Sequence, residues 1–387
     1  MSICGRMRRR LRGSLLAILL IIASFSPASG DSDAAEIARY QAIAPPPISA
    51  KAVFVIDATT QTELFALNPD EPLPPASLTK VAAALVILDE ANLDDVVEIE
   101  AEDLVPPEES QVGLIAGDRL TVRDLLRGVL IPSGNDATLA LARHIGAARL
   151  GPEATPDEAV AEFVSLMNAK VKALGATASH FAYPTGIDAD GHVMSARDVA
   201  TITMAALQNP LFAEIVSTRS ATLASEVLPD GYPVTTTNEL LLEGVVDGVK
   251  TGTTPKAGGC LVTSFDMGPN EVIMVVLGSQ LTESADGFQD NSARFADTRS
   301  LMSAVSSDYV WLDPSSPGAI SGLMEEMRVW DVSLPSDRFL PVPTSSASKL
   351  RYRLVLDPPA EPASPAGEVQ FFVDDTLMTE FPALQAS

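Results

Sequence analysis

The chain has 387 residues, 46% of them hydrophobic, enough to bury the cores of two or three ordinary domains, which excludes a disordered or fibrous sequence. Its 26 basic against 51 acidic residues give a net charge of −25; such a chain repels nucleic acid, and the surplus reads as a solvated acidic surface. Its two cysteines are Cys4 and Cys260; with Cys4 in a leader, Cys260 has no partner for an internal disulfide and is expected as a small buried strand residue.

Taken in order, the first element is that leader. Arg6, Arg8, Arg9, Arg10 and Arg12 precede the apolar run 15–23, and Ala28-Ser29-Gly30 offers small residues for cleavage, the pattern of an export signal over residues 1–30. Its removal takes five arginines and no acid, bringing the net charge to −30. No other segment offers about 20 consecutive apolar residues, so an exported, soluble product of the periplasm or extracellular envelope is expected; retention of the leader as an anchor is the lesser alternative. Residues 31–48, with Pro45-Pro46-Pro47, read as a flexible lead.

Strand patterns at 52–57 and 63–67, joined by a polar Thr-Thr-Gln-Thr turn, predict a hairpin. Pro74-Pro75, then Ser77, then the apolar run 81–88 predict a helix that begins at or next to Ser77. Residues three apart share a helix face, which sets the Lys80 ammonium beside the Ser77 hydroxyl. The helix is apolar nearly all round and therefore expected in the core, where desolvation favours neutral Lys80. A neutral amine beside a hydroxyl is a base beside a nucleophile. A serine at a helix start is also an ordinary cap, and Ser346-x-x-Lys349 has the same spacing in a Ser-rich loop. Lys80 differs in its place: it is one of seven lysines and stands at the head of a buried helix.

Helical patterns at 122–130, 136–145, 156–174 and 196–207 fill the middle of the chain. Strands return at 234–237, 248–253, 260–265 and 272–278, and a helix follows at about 292–305. A sheet split by a helical insertion and covered by helices is an α+β layout, here over residues 49–312. After a Pro-Ser-Ser-Pro-Gly linker at 314–318, β-type runs at 351–356 and 369–373 predict a small all-β domain over 318–387. The end of the chain, 376–387, lacks the basic amphipathic pattern of a membrane anchor.

Two further stretches carry reactive residue types. Ser133-Gly134-Asn135-Asp136, between helical runs, reads singly as a loop with Asn135 or Asp136 as helix cap. Lys250-Thr251-Gly252-Thr253 reads singly as a strand with Lys250 guarding a sheet edge and Gly252 at a bulge. In order, however, Ser77-x-x-Lys80, Ser133-x-Asn135 and Lys250-Thr251-Gly252 resemble the three motifs of the penicillin-recognising serine acyltransferases. Ala182-Tyr183-Pro184-Thr185-Gly186, Ser195-Ala196-Arg197-Asp198 and Thr237-Asn238-Glu239 narrow the resemblance to the low-molecular-mass penicillin-binding proteins that are D-alanyl-D-alanine carboxypeptidases. It runs over about residues 45–305.

The resemblance implies a β-lactamase/transpeptidase-like fold, an antiparallel sheet flanked by helices beside a helical lobe. It also implies removal of the terminal D-alanine from peptidoglycan pentapeptide stems without a cofactor, and inhibition by β-lactams. Ser77 Oγ would attack the penultimate carbonyl, Lys80 take its proton, Ser133 relay a proton to the leaving amine and Asn135 hold the substrate amide. The oxyanion falls to the backbone N–H groups of Ser77 and Thr253. Arg294 would pair with the terminal carboxylate, with Lys250, Thr251, Gly252 and Thr253 alongside; a surface ion pair is the alternative for Arg294. The Lys250 charge is expected to favour neutral Lys80 further. His144, His180 and His192 have no metal-ligand spacing and are expected at the surface or in loops. A class A β-lactamase is the nearest competitor, but the Glu-x-x-Leu-Asn pattern it needs is missing between Asn135 and Lys250. A non-catalytic wall-binding module is the alternative of another class.

Overall fold

The computed structural model describes residues 44–283, 289–356 and 365–385; the expected leader and most of the lead lie outside them. Near the start of the described residues, the Ser49 N–H and hydroxyl both donate to the Asp297 carboxylate, each at 2.9 Å.

The elements come in the predicted order. A hairpin of β1 (Ala52–Asp57) and β2 (Thr62–Leu67) leads to α1 (Thr79–Glu90) and a short ribbon of β3 (Val96–Glu98) with β4 (Arg119–Thr121). The helical lobe follows as α2 (Val122–Leu130), α3 (Asn135–Leu150), α4 (Pro156–Ala173), α5 (Ala196–Leu207) and α6 (Pro210–Val216). A second ribbon, β5 (Ser220–Leu223) with β6 (Tyr232–Thr235), and α7 (Glu239–Glu243) return the chain to the sheet. There β7 (Lys250–Thr254), β8 (Gly258–Met267) and β9 (Asn270–Ser279) are followed by a two-residue ribbon, β10 (Thr282–Glu283) with β11 (Gln289–Asp290), and then α8 (Ala293–Asp308). Helices start where side chains cap them. Thr121, Thr155 and Ser195 accept the N–H of Asp124, Glu158 and Asp198, and Glu158 reaches back to the Thr155 N–H.

The main sheet runs β2-β1-β9-β8-β7, antiparallel throughout. Alternation along β1 sends Ala52, Phe54 and Ile56 into the core shared with α1, and Val53 and Val55 into a second core shared with α8. A strand covered on both faces has no water-facing side, which is why 52–56 is apolar at every position. In α1 every residue from Thr79 to Ile87 is buried, so the helix is the axis of the larger core. Each fully buried Val, Leu or Ile in it contributes about 1.5–3 kcal/mol. Among the described residues no single helix is long and apolar enough to cross a membrane.

The C-terminal region has its own core, built on Leu323, Leu340, Val369, Phe371 and Phe381. After β12 (Tyr309–Leu312) it holds α9 (Leu323–Val329), β13 (Val332–Ser333), β14 (Leu340–Pro343), β15 (Leu350–Leu356), β16 (Pro365–Val373) and β17 (Thr376–Gln385). Four of these strands form an antiparallel sheet, β13-β17-β16-β15, so the expected β region carries one short helix besides. Asp313 orders the stretch read as a linker by accepting from the Ser315 N–H and from the hydroxyls of Ser315 and Ser316. β12 pairs with β14 across that stretch. The Asn270 side-chain nitrogen donates to the Asp57 carboxylate and to the Phe339 carbonyl, each at 2.7 Å, and Trp311 Nε1 donates to Asp57 at 2.8 Å.

Candidate active site

Ser77 does not cap α1; neither α1 nor the turn before it has a side-chain cap. Ala76, at φ +50°, bends the chain into a single 3-10 turn, Ala76–Leu78, and the half-buried Ser77 hydroxyl faces Lys80 Nζ at 3.0 Å. Left-handed backbone at a residue with a Cβ costs about 1–3 kcal/mol and persists only when its surroundings hold it. Part of that hold is Gly186, itself at φ +90°, where an added Cβ would stand 2.0 Å from the Ala76 carbonyl oxygen.

Lys80 is 0% exposed. Its three donors go to Ser77 Oγ at 3.0 Å, Asn135 Oδ1 at 2.6 Å and the Thr185 carbonyl at 2.8 Å. Burial pushes its pKa from 10.5 down to about 7, against the opposing pull of Glu109 and Asp136. A base poised there is half available at neutral pH, where general-base efficiency is greatest.

Asn135 and Asp136 are not caps either. Gly134 takes the N-cap position of α3, and the two side chains lash the preceding loop across its first turn. The Asn135 N–H donates to the Ser110 carbonyl at 2.8 Å, and its Nδ2 donates to Glu109 Oε2 at 2.6 Å. The buried Asp136 carboxylate accepts from the N–H groups of Val112, Gly113, Leu114 and Ala137 at 2.8–3.0 Å. Ser133, at φ +68° and 4% exposed, stands on the turn just before.

β7 is an edge strand, but Lys250 does not guard it: it is turned inward and 1% exposed, with Nζ donating to the Thr251 carbonyl at 3.0 Å. Burial lowers its pKa well below the usual value, and repulsion from Lys80 and Arg294 lowers it further. Burial is the largest cause of the shift at both lysines, and each ammonium disfavours the other. Gly252 is not at a bulge, since the register from Lys250↔Val262 to Thr254↔Gly258 runs without a shift. Its lack of a side chain admits the Ser77 turn, because a Cβ there would stand 3.0 Å from Ser77 N, Ala76 Cβ and the Pro75 oxygen.

Thr251 pairs its hydroxyl with that of Thr237 at 2.5 Å. Arg294, at the start of α8, donates from Nη1 to the Gly252 carbonyl at 3.0 Å and to Thr253 Oγ1. It is 5% exposed, stacks over the Phe295 ring at 4.7 Å and forms no ion pair among the described residues, which removes the surface ion-pair reading. Its buried Nε has no hydrogen-bond partner among the described residues, and burial pushes its pKa down to about 10. Asp188 accepts from Thr254 Oγ1 at 2.6 Å and from the Lys256 N–H at 3.0 Å, tying the loop that presents Thr185 to the end of β7.

Of the three histidines, His180 is exposed and His192 lies in a loop, as expected, whereas His144 is half-buried on α3. The loop histidine His192 is nevertheless only 2% exposed. Its Nδ1 accepts the Ala182 N–H at 3.1 Å, so its Nε2 carries the proton toward Thr79 Oγ1 at 2.8 Å. Burial pushes its pKa down to about 4. The structure therefore gathers Ser77, Lys80, Asn135, Gly252, Thr253 and Arg294 through direct contacts, sets Ser133 and Lys250 buried beside them, and turns the Thr251 hydroxyl to Thr237. Glu109, the Thr185 carbonyl and His192 were not singled out from the sequence. Glu109 lies in an aperiodic loop, and a carbonyl leaves no side-chain signal.

A family model described as D-alanyl-D-alanine carboxypeptidase matches residues 39–281. The chain is 30% identical over 396 residues to the D-alanyl-D-alanine carboxypeptidase DacD of Salmonella typhimurium, covering 97% of this chain and 93% of that protein. It is 34% identical to a D-alanyl-D-alanine carboxypeptidase of a Streptomyces species over 62% of this chain and 84% of that one. The crystal structure of the Streptomyces K15 DD-transpeptidase superposes with a TM-score of 0.60 at 31% identity, over 68% of this chain and 98% of that chain. Penicillin binding protein 5 from Haemophilus influenzae does so with a TM-score of 0.67 at 25% identity, over 89% and 99%.

Proposed function

Because the chain belongs to the D-alanyl-D-alanine carboxypeptidase family, we propose that it removes the terminal D-alanine of peptidoglycan pentapeptide stems through an acyl-enzyme on Ser77. The observation that carries the reading is the Ser77–Lys80 pair, 3.0 Å apart, with Lys80 fully buried and poised near neutral pH. Ser77 Oγ attacks the penultimate carbonyl as its proton passes to Lys80; the C–N bond breaks as Ser133 hands a proton to the leaving D-alanine nitrogen and takes back the one held by Lys80. Water then cleaves the ester and restores Ser77. The backbone N–H groups of Ser77 and Thr253 hold the oxyanion, and losing one such donor typically costs about 10²- to 10³-fold.

Arg294 serves the terminal carboxylate. A guanidinium buried without an acid is costly, and a substrate anion supplies the missing partner. A β-lactam offers the same serine a reactive amide and leaves a slow ester, so it acts as an inhibitor. The substrate lies in the cell envelope, and the basic and apolar leader of residues 1–30 supports export to it. The test is incubation with a labelled penicillin and mass spectrometry of the adduct. It is expected on Ser77. An adduct on Ser346, the other serine with a lysine three residues on, or none on folded protein, refutes the reading.

A further inference from the structure

The carboxylate of Glu109 meets the site at one atom, Asn135 Nδ2, at 2.6 Å. On its other side the same amide presents Oδ1 to Lys80 Nζ, also at 2.6 Å, and Lys80 in turn meets Ser77 Oγ. Asn135 is thus clamped between an anion and an amine. The loop that carries Glu109 has little freedom, since Ser110 accepts the Asn135 N–H and Asp136 accepts three successive N–H groups from Val112 to Leu114.

An amide has two ends of opposite demand: its oxygen only accepts and its nitrogen only donates. While Lys80 is an ammonium it accepts nothing, so it demands the oxygen end. During acylation it must also exist as a neutral amine, which can pair with either end, and at that moment Lys80 no longer fixes the amide. A carboxylate accepts and never donates, so Glu109 demands the nitrogen end at every stage. It uses one of the two hydrogens on Nδ2 and leaves the other for an acyl donor.

We propose that Glu109 is a positioning residue that holds the Asn135 amide in one orientation while Lys80 gives and takes the serine proton. The inference deepens the reading of Ser77 and Lys80 given above and rests on it. The same negative charge also favours the ammonium form of Lys80, opposing burial. Removing it therefore has two separable effects, on the height of the activity and on its pH dependence.

The experiment measures second-order acylation by a chromogenic cephalosporin across pH 5.5–9 for the parent, Glu109→Gln and Glu109→Asp. In Glu109→Gln the acidic limb is expected to move to lower pH by about half to one unit, because Lys80 loses a nearby anion. The plateau is expected to fall on the order of tenfold, because an amide at 109 satisfies either end of Asn135. Glu109→Asp keeps the charge and should keep the limb where the parent has it. A residue that merely props the loop would lower stability without moving the limb. An unmoved limb in Glu109→Gln, or an unmoved plateau, overturns the proposal. Should Glu109→Gln fail to fold, nitrogen-15 NMR of the parent's Asn135 side-chain amide decides: a hydrogen-bonded downfield proton that persists throughout the Lys80 titration supports it, and its loss or exchange broadening above neutral pH overturns it. A parent that forms no adduct defeats the reading of Ser77 itself, whereas a parent adduct with an unmoved limb defeats the inference alone.

Discussion

Replacing Lys80 by methionine keeps an unbranched apolar stem and removes the terminal ammonium with its charge and donors. The parent pays for that ammonium: moving its pKa from 10.5 to about 7 corresponds to about 5 kcal/mol at 1.36 kcal/mol per pH unit. The direction in pH follows from proton counting. Between about pH 10.5 and 7 the unfolded lysine is protonated while the folded one is neutral, so the parent loses stability as pH falls through that window, and below it the full penalty stands. Lys80→Met has no such loss. It does strand Asn135 Oδ1 and the Thr185 carbonyl, at about 1–3 kcal/mol each, but that cost does not titrate with the amine. At a single pH the two terms nearly cancel, and only the slope separates them. Urea unfolding of both proteins at several pH values should show Lys80→Met gaining on the parent by about 3 kcal/mol between pH 9.5 and 7. Acylation by penicillin should fall on the order of 10²- to 10⁴-fold with loss of the general base. A stability difference that stays constant with pH would refute the claim that burial has depressed this lysine.

Arg294→Ala is expected to weaken reaction with a diacetylated Lys-D-Ala-D-Ala peptide by about 2–4 kcal/mol while sparing the same peptide amidated at its C-terminus. Equal losses on the two, read as kcat/KM, would assign the carboxylate to another residue. Asp136→Ala removes the acceptor of four backbone N–H groups, three of them in the loop that carries Glu109, and is expected to lower stability by about 3 kcal/mol or more. A denaturation midpoint within error of the parent's would show that water replaces the carboxylate there.

Much of this fold was legible because periodicity and burial act locally. β1, α2 and α5 begin and end at the residues that their patterns predict, and Cys260 is buried in β8 as expected. The site was legible as spacing but not as mechanics. Ser77-x-x-Lys80 predicts the pair, yet the left-handed Ala76 that aims the serine, and the Gly186 that accommodates it, meet only in the folded chain. Lys250 looked like an edge lysine because a strand pattern does not reveal which of its faces is covered. His192 is separated by 113 residues from the Thr79 hydroxyl it reaches, and Glu109 by 26 from Asn135. Such partners are set by loop closure and not by helical or strand period.

The clasp of Asp57, Asn270, Trp311 and the Phe339 carbonyl lies where β8 turns into β9. Gly259, paired with Thr253 of β7, stands eight residues back along β8 from Met267 at that turn, roughly 25 Å away at strand rise. The C-terminal region is therefore mounted at the far end of the catalytic sheet by rigid hydrogen bonds rather than hung from a loose tether. The bearing of the C-terminal region on the Ser77 site is therefore set when the chain folds.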